Sequence, residues 1–196
     1  FSDRFALFLG RNNERLLDGL WGIEKEAQRV NPKGELALTD HPAALGDKLT
    51  EPQITTDFAE SQIELATSAR KTIQEAYEEL CQIQDKVDQN LGQELLWPLS
   101  MPPRLPEESL IPIAKFGDSE EGKQKELYRR GLALRYGKKM QMISGIHYNF
   151  SFGPKLLGLL YDEADHGLTA AQFKDEIYTA VARNFLRNRW LLIYLF

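Results

Sequence analysis

A chain of 196 residues with 42% hydrophobic content has the makings of a folded core, and nothing in its composition points to disorder. Its net charge of -5 gives no general basic footprint, so nucleic acid and anionic membrane surfaces are disfavoured as partners, and no apolar run reaches the length of about 18 residues that a transmembrane helix needs. Cys81 is the single cysteine, which rules out an intramolecular disulfide and suits a reducing, cytoplasmic setting.

In chain order, residues 3–20 carry Phe5, Phe8, Leu9, Leu16, Leu17 and Leu20 at roughly helical spacing, broken by Gly10 and Asn12-Asn13, and predict one or two short helices. Residues 21–30, WGIEKEAQRV, alternate as a strand with Glu24, Glu26 and Gln28 on one face. NPKGEL then supplies turn residues, so 21–30 and 35–39 could pair as a hairpin. DHPAALG reads as a loop or one helical turn. The stretch ITTDFAESQIELA, 54–66, is rich in β-branched residues and predicts a second acid-bearing strand, with Ile63 and Leu65 on one face and Gln62 and Glu64 on the other.

Residues 70–91 predict a helix with an apolar stripe of Ile73, Tyr77, Leu80, Val87 and Leu91, ending at Gly92, and with Cys81 as a buried, inert thiol beside it. WPLSMPPRLP, 97–106, is too rich in proline for a helix or a central strand. A helix over 122–136 closes at Gly137. MQMISGIHYNFSF then alternates, with Ile146, Tyr148 and Phe150 on one side and Gln141, Gly145, His147, Asn149 and Ser151 on the other. Thr169 and Gln172 make a capping box for a final helix from about Ala170 through the 180s. With no repeat and no linker, residues 1–196 read as one domain. Helices interspersed with half-polar strands predict an α+β fold: an antiparallel sheet, helices on its apolar side and a ligand groove on its polar side. The start lacks an initiator methionine and a signal-peptide pattern, and NRWLLIYLF ends the chain on an apolar run, so the expectation is that a segment packing against those last residues is missing.

If the three half-polar strands are neighbours, their polar residues converge on one surface: Glu24 and Glu26; Asp57, Glu60 and Glu64; Gln141, His147 and Asn149. Alternate residues on one strand lie about 7 Å apart, so the carboxylates repel unless a cation offsets them. A hard divalent ion fits, and magnesium, with its taste for few carboxylates and for phosphate oxygens, points to nucleotide chemistry. A single Glu on a strand's polar face is more often solvated surface, and Glu-x-Glu alone says little. Its recurrence on three segments says more. His147 taken alone would more often be packed or exposed, and His41 and His166 read the same way. P-loop, GxGxxG, HExxH, CxxC and GxSxG patterns are absent. Arg129, Arg130 and Arg135 read first as a solvated helix face; the alternative is pairing with a substrate carboxylate or phosphate.

At these positions the chain resembles the bacterial-type glutamate-cysteine ligases, or γ-glutamylcysteine synthetases. The stretches that carry it are GIEKEAQRV with GELALTDHPAALG, ITTDFAESQIEL, LWPLSMPP, LYRRGLALRYG and, most specific, MQMISGIHYNFS. The resemblance implies a glutamine synthetase-like ligase fold, with a curved antiparallel sheet and flanking helices, in a longer chain of which these residues are the amino-terminal portion, with the C-terminal part missing. It also implies the first step of glutathione biosynthesis: ATP phosphorylates the side-chain carboxylate of L-glutamate, and the amine of L-cysteine displaces the phosphate. Carried over residue by residue, Glu24, Glu26, Asp57, Glu64 and His147 match metal-holding positions, with Glu26 and His147 at the catalytic centre. Tyr128 and Gln141 match positions lining the cysteine or acyl-phosphate pocket, and Arg129 one that orients a substrate carboxylate. Mg2+ is the implied ion, with Mn2+ as the alternative. Two other readings remain: a ligase that joins glutamate to a different amine, and a noncatalytic metal- or nucleotide-binding fragment.

Overall fold

The computed structural model describes residues 17–164 and 167–195. The helices predicted over 3–20 fall outside the described residues as far as 16, as does His166; from Gly19 the chain is already strand. Among the described residues two compact units are present, 20–151 and the combination of 17–19 with 152–164 and 167–195.

The larger unit is built on β1 (Gly19–Val30), the long alternating strand expected from the sequence. It pairs antiparallel with β3 (Gln62–Ala66), Glu26 opposite Glu64 and Gln28 opposite Gln62. β2 (Ile54–Thr56) pairs antiparallel with β3, β4 (Leu95–Leu96) pairs antiparallel with the end of β1, and β5 (Ile146–Phe152) also pairs with β1. The expected hairpin between 21–30 and 35–39 shrinks to a bridge of Val30 with Leu36 around the turn at Asn31 and Gly34.

Residues 54–66 are not one strand. The Asp57 N–H donates to the Gln62 carbonyl and the Gln62 N–H to the Ala59 carbonyl, so the chain reverses between β2 and β3. Phe58, Ala59, Glu60 and Ser61 are all buried there, which breaks the alternation. Glu60 is thereby turned away from the acidic face. Its carboxylate accepts from Lys48 Nζ at 2.7 and 2.9 Å, from the Lys115 N–H at 2.6 Å and from the His41 N–H at 3.2 Å.

α1 (Ile73–Asp88) starts where the Thr72 hydroxyl accepts the Glu75 N–H, and buries Ala76, Leu80, Ile83 and Val87 against Leu45, Ile54, Ile63 and Leu65. That stripe follows the i, i+4, i+7, i+11 rule. Tyr77 and Cys81 sit one residue, about 100°, further round, so both are exposed, and the expectation of a buried Cys81 fails. α2 (Glu120–Tyr136) is capped by Ser119 and ends at Gly137, whose φ of 80° suits glycine. Its Leu132 and Ala133 pack on a second apolar cluster of Leu36, Phe58, Ala59, Ile111 and Met142.

In the smaller unit, α3 (Pro154–Glu163) was not anticipated. Asp18 Oδ2 accepts the N–H groups of Lys155 and Leu156 at 2.8 and 3.3 Å, capping the helix across a long sequence gap that local pattern cannot reveal. α4 (Ala170–Leu195) has the predicted capping box: the Gln172 N–H donates to the Thr169 hydroxyl and the Thr169 N–H to Gln172 Oε1. Tyr161 of α3 meets Phe173 of α4 edge to face at 5.4 Å.

Candidate active site

The alternation of β1 sends Ile23, Lys25 and Ala27 toward α1 and leaves Glu24, Glu26 and Gln28 on the opposite face, where β3 adds Gln62 and Glu64. β5 brings His147 and Asn149 to the same place. His147 Nδ1 lies 3.1 Å from Glu24 Oε2, its Nε2 lies 3.9 Å from Glu26 Oε1, and Asn149 Nδ2 donates to Glu24 Oε1 at 2.9 Å. Ahead of β5 the Gly145 N–H donates to Glu26 Oε2 at 2.9 Å. A Cβ on Gly145 would stand 3.2 Å from His147 Nε2, so the missing side chain leaves room for the imidazole.

Buried amides close the floor of the face. Gln28 Nε2 donates to the Met142 carbonyl, Ser61 Oγ to Gln28 Oε1, and Gln62 Nε2 reaches Glu26 Oε2 at 3.4 Å. On this face Gln62 Oε1 is buried without a hydrogen-bond partner, as is Ser144 Oγ just ahead of Gly145.

Crowding shows in the proton affinities. Burial pushes the Glu26 carboxyl above the ordinary range, and the Gly145 N–H pulls it back while the Asp57 charge adds to the rise. Glu64 is raised by burial and then by Asp57, Glu26 and Glu24. Asp57 is raised by burial, against the lowering effect of Arg129 and His147. His147 is raised by its hydrogen bond to Glu24 and by the surrounding acids.

Glu24, Glu26, Glu64, Asp57 and His147 therefore form one electrostatic group. Among the described residues no three of the acids and imidazoles stand close enough to hold one ion as they are. The donors nonetheless fit magnesium, which takes one or two carboxylates and completes its shell with water and phosphate oxygens instead of an all-protein cage. Other expectations land elsewhere. Gln141 lies in a short 3-10 turn (Lys139–Met142) ahead of β5, not on the strand's polar face. Tyr128 is exposed and lines a groove of ≈ 640 Å³ along α2 with Leu127, Leu132, Arg135 and Tyr136. Arg129 turns toward main chain: Nε donates to the Asp57 carbonyl, Nη2 to Thr56 and Nη1 to Lys125. Gly145 and Asn149, which position the acids, were visible in the sequence only as members of a polar face. Phe116, beneath Arg129, gave no signal at all.

An antiparallel sheet of this topology with acids on its open face is the frame of the glutamine synthetase-like ligases, and two solved structures share it. One is the glutamate–cysteine ligase of Francisella tularensis in complex with AMP, with a TM-score of 0.83 and 40% identity over 90% of this chain and 34% of that one. The other is a bifunctional glutathione synthetase from Pasteurella multocida, with a TM-score of 0.88 and 38% identity over 97% of this chain and 25% of that one. The chain belongs to the glutamate-cysteine ligase family, whose profile matches residues 6–196. Among named relatives, the glutamate–cysteine ligase of Clostridium acetobutylicum is 55% identical over all of this chain and 41% of its own length. That of Pseudomonas syringae pv. syringae is 50% identical over 98% of this chain and 36% of its own length. The chain thus spans roughly two-fifths of the relatives it matches.

Proposed function

We propose that this chain carries the acidic face of an ATP-dependent ligase that joins the γ-carboxylate of L-glutamate to the amine of L-cysteine, giving γ-glutamylcysteine, ADP and phosphate, the first step of glutathione biosynthesis. In this reading residues 1–196 belong to one catalytic domain, completed by a C-terminal part such as the relatives carry, and the setting is the cytoplasm. The observation that carries it is the pairing of Glu26 with Glu64 across β1 and β3, beside Glu24 and His147, within a chain of this family.

Magnesium ions, or manganese in their place, would each be held by one or two of Glu24, Glu26, Asp57, Glu64 and His147, and when bound would supply positive charge against the anions that phosphoryl transfer brings together. The chain's own part is positioning. Asn149 and His147 fix the two oxygens of Glu24, and the Gly145 N–H fixes one oxygen of Glu26, so neither carboxylate has to be ordered when ATP and glutamate arrive. Glu26, half-buried, and the exposed His147 beside it are assigned to the reacting phosphate. Tyr128 and Gln141 are assigned to the cysteine or acyl-phosphate pocket.

The test is ADP release with Mg·ATP and L-glutamate, with and without L-cysteine, on the chain combined with its C-terminal part. Release that needs both amino acids is expected. Equal release with an unrelated amine would transfer the reading to a different glutamate ligase, and no glutamate-dependent release from folded protein would overturn it.

A further inference from the structure

We propose that Arg129 is a positioning residue for Asp57: it fixes the main chain from which that carboxylate is aimed, and it does not grip a substrate carboxylate. This rests on the reading of Asp57 as a metal-holding acid. β2 ends at Thr56 and the turn opens at Asp57, so the carbonyls of these two residues stand where ladder pairing gives out. Both are taken by one guanidinium. Nε donates to the Asp57 carbonyl and Nη2 to that of Thr56 at 3.3 Å, so the side-on edge with which arginine holds a carboxylate in two parallel bonds is filled by consecutive main-chain oxygens. Nη1 donates back to the Lys125 carbonyl of α2 at 3.0 Å, which ties the turn to the helix.

The plane of the fork is also set. Its carbon lies 4.4 Å from the centre of the Phe116 ring, which is buried. Phe116 belongs to the same rigid piece as the turn, since the Ala114 N–H donates to the Phe58 carbonyl and Ile113 bridges Ala59. Lys48 and Lys125 face the same ring at 5.2 and 5.5 Å, and Lys48 holds Glu60 at the far end of the turn. One aromatic platform therefore underlies the cations that secure both ends of the segment carrying Asp57. A lysine at 129 would keep the charge and lose the fork, the stacking and two of the three bonds.

The experiment is Mn2+ binding to the intact protein by electron paramagnetic resonance, without nucleotide or amino acid, alongside thermal unfolding and the KM for glutamate. Arg129→Lys is expected to weaken Mn2+ binding roughly tenfold or more while the protein stays folded and the glutamate KM is unchanged. Phe116→Leu, which keeps the arginine and removes its platform, is expected to weaken binding in the same direction by less. Normal Mn2+ binding in Arg129→Lys with a raised glutamate KM would make Arg129 a substrate ligand and overturn the proposal. If Arg129→Lys fails to fold, normal binding in folded Phe116→Leu overturns it equally. Wild-type protein that binds no Mn2+ would overturn the metal reading itself, and this inference with it.

Discussion

Glu26 is half-hidden, faces Glu64 across the sheet and holds a raised proton affinity, so the metal-free fold carries it at a cost. Glu26→Gln keeps the bonds to Gly145 and removes one charge. The variant is expected to melt higher than wild type without metal and to have lost glutamate-dependent ADP release in the assembled enzyme; near-normal turnover would remove Glu26 from the centre. His41 behaves differently. Burial, then the charges of Lys48 and Arg29, lower its pKa to about 4 against the opposing pull of Glu60 and Asp47, and neither ring nitrogen has a partner. With a depressed pKa, the unfolded chain takes up the proton below about pH 6.5 and the folded one does not, so the His41 contribution to stability falls as pH drops from there toward 4, against the opposite slope of the raised acids. His41→Phe is expected to flatten that limb in urea titrations at successive pH values. In the sequence this histidine reads as bland, because its position beside Pro42 in a loop does not show that the fold buries it between Lys48 and Arg29.

Elements were legible wherever the pattern was local. β1, α1, α2 and the capping box of α4 follow from alternation, from three- and four-residue spacing and from Ser or Thr at the helix start. Alternation misled at 54–66, because Phe58 to Ser61 sink into a second apolar cluster and the strand becomes a hairpin. Glu60 changed sides as a result, from an expected member of the acidic face to the anchor of its turn. Its pairing with Lys48 is nearly sealed, with side-chain exposures of 2% and 13%. Removing one member of a buried pair leaves the other charge stranded, so Lys48→Met is expected to cost about 3–5 kcal/mol in denaturant unfolding. Lys48→Met combined with Glu60→Gln is expected to recover part of that loss. If the single variant costs less than about 1 kcal/mol, the pair is not what secures the turn.

Across the whole molecule the raised groups act together. Glu26, Glu64 and Asp57 hold protons more tightly folded than unfolded, and so does His147, so each loses stabilising effect as pH rises through its folded pKa. Metal-free protein is therefore expected to melt lower as pH rises, first from about 4, where unfolded carboxyls lose their protons, and again above about 6.5, where the unfolded imidazole does. Millimolar Mg2+ or Mn2+ is expected to raise the melting temperature most at the alkaline end, and a uniform shift across pH would separate the ion from these acids. The same face has a history within each molecule's synthesis. β1 is nearly the first described segment, yet the partners that settle its acids, Gly145, His147 and Asn149, are made 119 to 125 positions later. Contacts of such long sequence separation form slowly, because a large loop must close before they give anything back. On the ribosome β1 can find β3 and α1 early, but its carboxylates wait, exposed and mutually repelling, for most of the larger unit to emerge. Ligand binding thus comes last in the order of assembly, after the core of α1 and the sheet has already committed the chain to its fold.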